Sequence, residues 1–245
     1  MHSIPIEVLR MILEHVGKAD LVTLCQVNKI CCSCSQDVLY RHIHTDSILI
    51  IRTLAHSTDL ARRVRSFECP RLDSTSELAT ALKNMSLLRT LSLGSLVYGN
   101  ASFLDGCTFK LDSFKSISFY DESLRNFLNT QPSLTDIQFI WTFNNSVEFE
   151  DSCLPNLTQV TAYPSWLRII IPGRPVRSVT VFRSHHTNDC ELSFFTLSTA
   201  PIQKLTIPCA FLFPKPVSLL VSVFPSLVHL TLEFYRMGRI KPTVR

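Results

Sequence analysis

One phrase recurs along this chain: an apolar residue, two others, an apolar residue, one other, an apolar residue. It occurs as Val64-Phe67-Cys69, Leu88-Leu91-Leu93, Phe114-Ile117-Phe119, Leu134-Ile137-Phe139, Leu157-Val160-Ala162, Val176-Val179-Val181, Ile202-Leu205-Ile207 and Leu227-Leu230-Leu232. The alternation inside each phrase is that of a strand with one buried face. One short strand cannot bury that face alone. The central residues, at 67, 91, 117, 137, 160, 179, 205 and 230, recur at intervals of 19 to 26 residues. Such a period leaves room for one strand and one helix or loop per repeat. The pattern predicts an α/β chain in which parallel strands stack over a shared core, with helices or loops on the convex side.

Helical signals fall between several phrases. Ser74-Thr75-Ser76-Glu77 has capping-box spacing and is followed by Leu78, Ala81 and Leu82. Asp121 is placed to cap a helix over 122–129, with Leu124, Phe127 and Leu128 on one side. A further helix is expected over 217–224. The period lies near that of leucine-rich repeats, but the asparagine that commonly satisfies backbone groups at each turn is missing. Leu72, Leu96, Glu122, Thr142, Ser165, Ser184, Ala210 and Tyr235 stand at those positions. An irregular array of about eight repeats is expected over 61–245, ending in the basic tail Arg236–Arg245 where a polar cap would serve.

Strand residues that point away from the core form two columns. Glu68, Ser92, Ser118, Gln138, Thr161, Thr180, Thr206 and Thr231 make a polar one. Pro70, Gly94, Tyr120, Ile140, Tyr163, Phe182, Pro208 and Glu233 make the next, apolar through its middle. Exposed aromatic residues on a scaffold are common binding anchors. Tyr120, Ile140, Tyr163 and Phe182 are therefore the candidate substrate-facing stripe.

Several function classes find no support. A net charge of +4 is weakly basic, and the densest basic run, Ala61-Arg62-Arg63-Val64-Arg65, reads as the solvated flank of a strand. No nucleic-acid partner is expected. The stretch from Ala210 to Phe224 is interrupted by Pro214-Lys215-Pro216, and the first apolar stretch carries Glu7, Arg10 and Glu14, so neither a membrane span nor a secretory signal is expected. The 9 cysteines are odd in number and irregular in spacing, which argues against a disulfide framework and for a reducing compartment, cytoplasmic or nuclear. Cys31, Cys32 and Cys34 lack a second ligand pair and read as small buried residues; no metal or cofactor is expected. His185, His186, Asp189 and Cys190 come without a recognisable nucleophile arrangement and read as a solvated loop, so no catalytic residue is assigned.

Residues 1–45 differ from the array. Ser3 and Pro5 suit a helix start, and Ile6, Leu9, Ile12, Leu13 and Val16 recur at helical steps. Gly17 is placed to end that helix and Asp20 to cap the next, which carries Leu21, Leu24, Cys25 and Val27. Val38, Leu39 and Ile43 suggest a third helical element, and 46–60 a linker helix. A partner is the simplest completion for a core of this size, the alternative being a cap packed only on its own repeat array.

The order Ile4-Pro5-Ile6-Glu7-Val8-Leu9, Ile12, Asp20-Leu21, Val27, Lys29 and Leu39-Tyr40-Arg41-His42-Ile43 resembles an F-box. The ending Leu39–His44, followed by an irregular array, is similar to the F-box families of mushroom-type fungi. Ile4 stands for the commoner Leu, Asn28 for Cys or Ser, and Ile30-Cys31-Cys32 where an aromatic residue is often found. The resemblance implies docking on the Skp adaptor of a cullin–RING ubiquitin ligase. It implies Ile4, Pro5, Leu9, Ile12, Leu21, Leu24 and Val27 as the apolar contact, with Glu7 at the rim. The chain would then be a non-catalytic receptor for a protein substrate. The alternatives are a repeat scaffold without ligase association and an enzyme with a site at a repeat edge.

Overall fold

A computed structural model describes residues 4–72, 75–96, 101–117, 121–140, 149, 152–182, 192–209 and 217–234. The chain forms two compact units, Met1–Leu134 and Thr135–Arg245. Ser3, Ser74, Tyr120, the His185–Cys190 run and the tail Arg236–Arg245 lie outside the described residues.

The first unit opens with three helices: α1 (Ile6–Leu13), α2 (Lys18–Leu24) and α3 (Lys29–Leu39). Pro5 occupies the N-cap position of α1. Gly17 is the N-cap of α2, so Asp20 sits in its first turn instead of capping it. Asn28 caps α3, its side-chain oxygen accepting from the Cys31 N–H at 2.8 Å. Asparagine is as good a cap as serine, so this departure from the common residue costs nothing.

After α3 the chain turns into β1 (His42–His44), followed by α4 (Ile48–His56), α5 (Thr58–Ala61), β2 (Ser66–Leu72), α6 (Thr75–Asn84), β3 (Thr90–Leu96), a 3₁₀ turn Ala101–Leu104, β4 (Ser113–Ser116) and α7 (Glu122–Asn129). The four strands are parallel and pair in chain order. Ile43 is thus a strand residue rather than part of a third helix. The 46–60 stretch holds α4, which packs on α6 and so joins the helical layer of the first repeat.

The second unit contains β5 (Asp136–Phe139), β6 (Gln159–Ala162), α8 (Pro164–Ile170), β7 (Ser178–Val181), a 3₁₀ turn Ser193–Leu197, β8 (Lys204–Pro208), α9 (Val217–Val223) and β9 (His229–Glu233). These strands too are parallel and pair in chain order. The core phrase survives as buried residues through β8: Ile137, Val160, Val179 and Leu205 lie in one register row and are shielded, whereas Leu230, next in that row on β9, is exposed, so the eighth phrase is not buried as expected.

Register corrects one phrase. Phe114 pairs with Leu91, so Phe114 is the central residue of its repeat and Ile117 is not. The buried set there is Leu111, Phe114 and Ser116. A serine at the third position disguised the phrase, and 114, 117 and 119 imitated it three residues late. With Phe114 restored and Ile43 added, the first unit's central residues are 43, 67, 91 and 114, a nearly constant step.

Successive strands begin on a shared device: one carbonyl accepts two successive N–H groups of the next repeat. Arg41 accepts from Arg65 and Ser66, Arg65 from Arg89 and Thr90, and Arg89 from Asp112 and Ser113, at 2.8–3.2 Å. In the second unit the acceptors are Thr135, Thr158, Arg177 and Gln203.

Three polar side chains reach back to backbone groups of earlier elements. Asn84 donates to the Leu54 and Ala55 carbonyls at 3.2 and 2.8 Å. Gln131, fully buried, accepts from the Leu111 N–H at 2.9 Å and donates to the Phe109 carbonyl at 3.3 Å. The Ser198 hydroxyl lies 3.0 Å from the carbonyl oxygens of both Arg174 and Val176 and donates its one proton between them. Each satisfies backbone groups about twenty to thirty residues earlier in the chain.

Among the described residues no helix is long and apolar enough to cross a membrane. The eight described cysteines are free thiols, and no group of three or more His, Cys, Asp or Glu is arranged to hold a metal ion among those residues. Burial pushes the Cys107 thiol up to about 11; Lys83 pulls the other way and Asp105 adds to the rise. Alkylation of Cys107 in the native chain is therefore expected to be negligible at neutral pH. It should accelerate only as pH approaches that value, followed site by site by mass spectrometry.

Candidate partner-binding face

The head has a core of Leu13, Leu21 and Cys34, with Leu9, Val16, Leu24, Val38 and Leu39 packed against it. Leu9 and Leu13 on α1, one helical step apart, and Val16 just after it face inward. The same helix is apolar elsewhere too. Ile4, Ile6, Val8, Met11 and Ile12 are exposed, as are Val22, Val27 and Ile30 beyond α1. Met11 at 66% and Val27 at 61% are open to solvent over most of their surface. That much exposed apolar surface within the first thirty residues is the mark of a protein-binding face.

The residues expected at this face divide. Ile4, Pro5, Glu7, Ile12 and Val27 are exposed. Leu9 and Leu24 are half-buried against the head's core. Leu21, only 2% exposed, lies within that core. Sequence reasoning placed Ile6 and Ile12 on one stripe with Leu9 and Leu13, whereas the fold sends the two isoleucines outward. It passed over Val8, Met11, Val22 and Ile30. The signal was present: α1 reads Ile-Glu-Val-Leu-Arg-Met-Ile-Leu, apolar on more faces than one core can use.

Ion pairs tie the head together and join it to the first repeat. Arg10 pairs with Asp37 at 3.0 Å, and Arg41 pairs with Glu14. Arg63 pairs with Asp37, reaches Asp59 at 3.1 Å and donates to the Ser33 carbonyl at 2.9 Å. Burial works against the Arg63 charge, but Asp59 and Asp37 outweigh it and raise the pKa above the ordinary arginine value. The basic run is solvated only in part, Arg62 being exposed. Ala61 and Val64 are fully buried, and the Arg63 side chain is 16% exposed. Arg10, Arg41, Arg62, Arg63 and Arg65, with Ser33, Asp37 and Asp59, line an open cavity of about 610 Å³.

Part of each strand column lies among the described residues. Thr161, Thr180, Thr206 and Thr231 stand opposite one another across four adjacent strands. Tyr163 and Phe182 are half-buried neighbours with ring centroids 5.7 Å apart. Ile140 is half-buried. In the first unit the register row runs through Glu68, Ser92 and Lys115, so Lys115 takes the place expected for Ser118.

Residues 1–42 match the family model of the F-box domain. That span holds the three helices and the exposed apolar face. No curated protein matches the chain.

Proposed function

We propose that this chain is a substrate-binding subunit of a cullin–RING ubiquitin ligase. The head docks on the Skp adaptor through Ile4, Pro5, Ile12 and Val27, with Glu7 at the edge. The observation that carries this reading is the exposed apolar face on a segment that matches an F-box. The strands beyond it form a leucine-rich-repeat-like array, and their outward residues, Tyr163 and Phe182 among them, hold a protein target. Such a receptor needs no chemistry of its own. It raises the effective concentration of the target's lysines near a loaded ubiquitin-conjugating enzyme.

Co-expression with the Skp adaptor, followed by size-exclusion chromatography, tests the reading. The wild type is expected to co-elute with the adaptor. Ile4→Asp/Ile12→Asp is expected to lose the complex while keeping its helical content, because both side chains lie outside the core. Leu9→Ala is a poorer probe, since Leu9 also packs the head. A folded wild type that elutes without the adaptor would leave only a repeat scaffold with some other partner.

A further inference from the structure

We propose that the arginine-lined cavity between the head and the start of β2 binds a phosphate monoester in its dianionic form. This inference concerns a different surface from the adaptor face and stands whether or not the ligase reading does. The cavity, about 610 Å³ and open to solvent, is of a size that admits a small ligand or a projecting side chain. Its charge is not balanced from within. Asp37 is shared by Arg10 and Arg63, Asp59 is taken by Arg63, and Glu14 is taken by Arg41. Arg62 and Arg65 have no carboxylate partner among the described residues. Two uncompensated guanidinium groups thus line the same cavity.

The fold fixes where those groups stand. Arg41 and Arg65 hold equivalent places at the starts of β1 and β2, joined by the Arg65 N–H bond to the Arg41 carbonyl at 2.9 Å. Neighbouring strands lie about 4.8 Å apart. Arg65 is also braced by its own bonds to the Arg62 and Val64 carbonyls, at 2.7 and 3.3 Å. The next member of the column, Arg89, does not line the cavity and faces Asp112 at 3.5 Å. The excess charge is therefore focal, not a stripe. A carboxylate would supply one negative charge. A phosphate monoester supplies up to two near neutral pH, with three acceptor oxygens suited to planar guanidinium forks. The ester group has room in the remaining volume.

The test uses the full chain and three probes: inorganic phosphate, O-phosphoserine, and a short phosphoserine peptide with neutral flanks. Binding is measured by calorimetry against sodium chloride at matched ionic strength. The wild type is expected to bind beyond the chloride control. Arg62→Gln/Arg65→Gln should bind at least about tenfold more weakly, since hydrogen bonds to charged groups are lost. Arg89→Gln, outside the cavity, should bind like the wild type. A peptide that binds more tightly than O-phosphoserine makes a phosphorylated protein segment the source of the group; equal affinities make it a small phosphate ester. The proposal is overturned if the wild type shows no binding beyond chloride, a result that needs no variant to fold. It is also overturned if the double variant keeps its affinity, or if Arg89→Gln loses as much.

Discussion

Gly94→Ala is expected to destabilise the first unit by about 3 kcal/mol or more, near the top of the usual range for overpacking. Gly94 lies in β3 opposite Pro70 of β2, between the register pairs Cys69 with Leu93 and Arg71 with Ser95. A Cβ at Gly94 would fall 1.9 Å from the Pro70 carbonyl oxygen, 2.4 Å from its carbon and 2.6 Å from its Cα. All three atoms are backbone, so no rotamer change relieves the collision. The two strands would have to part, and their pairing spans most of both. Urea denaturation of wild type and variant measures the loss. Gly106→Ala serves as the comparison. That glycine has φ +78° but its nearest neighbour is the end of the Lys83 side chain, 3.6 Å away. Its cost should be about 1 kcal/mol, from backbone conformation alone. Equal losses for the two variants would refute the close approach.

Arg174→Ala is expected to cost the second unit about 3–5 kcal/mol, the range for truncating a large buried side chain and leaving buried acceptors without a donor. Arg174 is 2% exposed and is the largest fully buried side chain among the described residues. Its Nε donates to the Cys153 carbonyl at 2.9 Å, and its Nη1 donates to the carbonyls of Ile170 and Pro172 at 3.0 and 2.8 Å. The guanidinium also lies 5.7 Å from the centre of the Phe149 ring. Alanine would leave a cavity and three carbonyls short of a donor. Arg174→Lys should recover only part of the loss, because one ammonium cannot reproduce the planar fork. The urea midpoint and near-ultraviolet circular dichroism would register both changes. A lysine variant as stable as the wild type would show that charge, not geometry, is what the site requires.

Alternation and spacing make most of the strands legible in the amino acids alone. Asp121 is legible as a cap for the same reason: its side chain accepts from the Leu124 N–H at 2.8 Å, as local chemistry dictates. Local pattern does not reveal the outcome of competition between registers. Ser116 sits in a core position, and Ile117 next to it makes the wrong triplet look better. His42-Ile43-His44 is too short to display alternation, and only its pairing with β2 makes it a strand. Arg174 and Gln131 carry no motif, since each bonds to backbone about twenty residues earlier. At the head, the resemblance points to the right helices. Which side each residue takes is decided by three short helices closing on Leu13, Leu21 and Cys34.

The paired N–H groups that start successive strands have a consequence for how such a chain changes over generations. The joint between repeats is made by one carbonyl and two amides, and it tolerates Arg, Thr or Gln as the acceptor residue. It therefore makes few demands on side chains. Length differences between repeats are absorbed after the strand, while the joint stays the same. A whole repeat duplicated or deleted within either unit would meet its new neighbour with the joint intact. The outward face of the strands can thus grow, shrink and change its amino acids without the backbone having to be solved again.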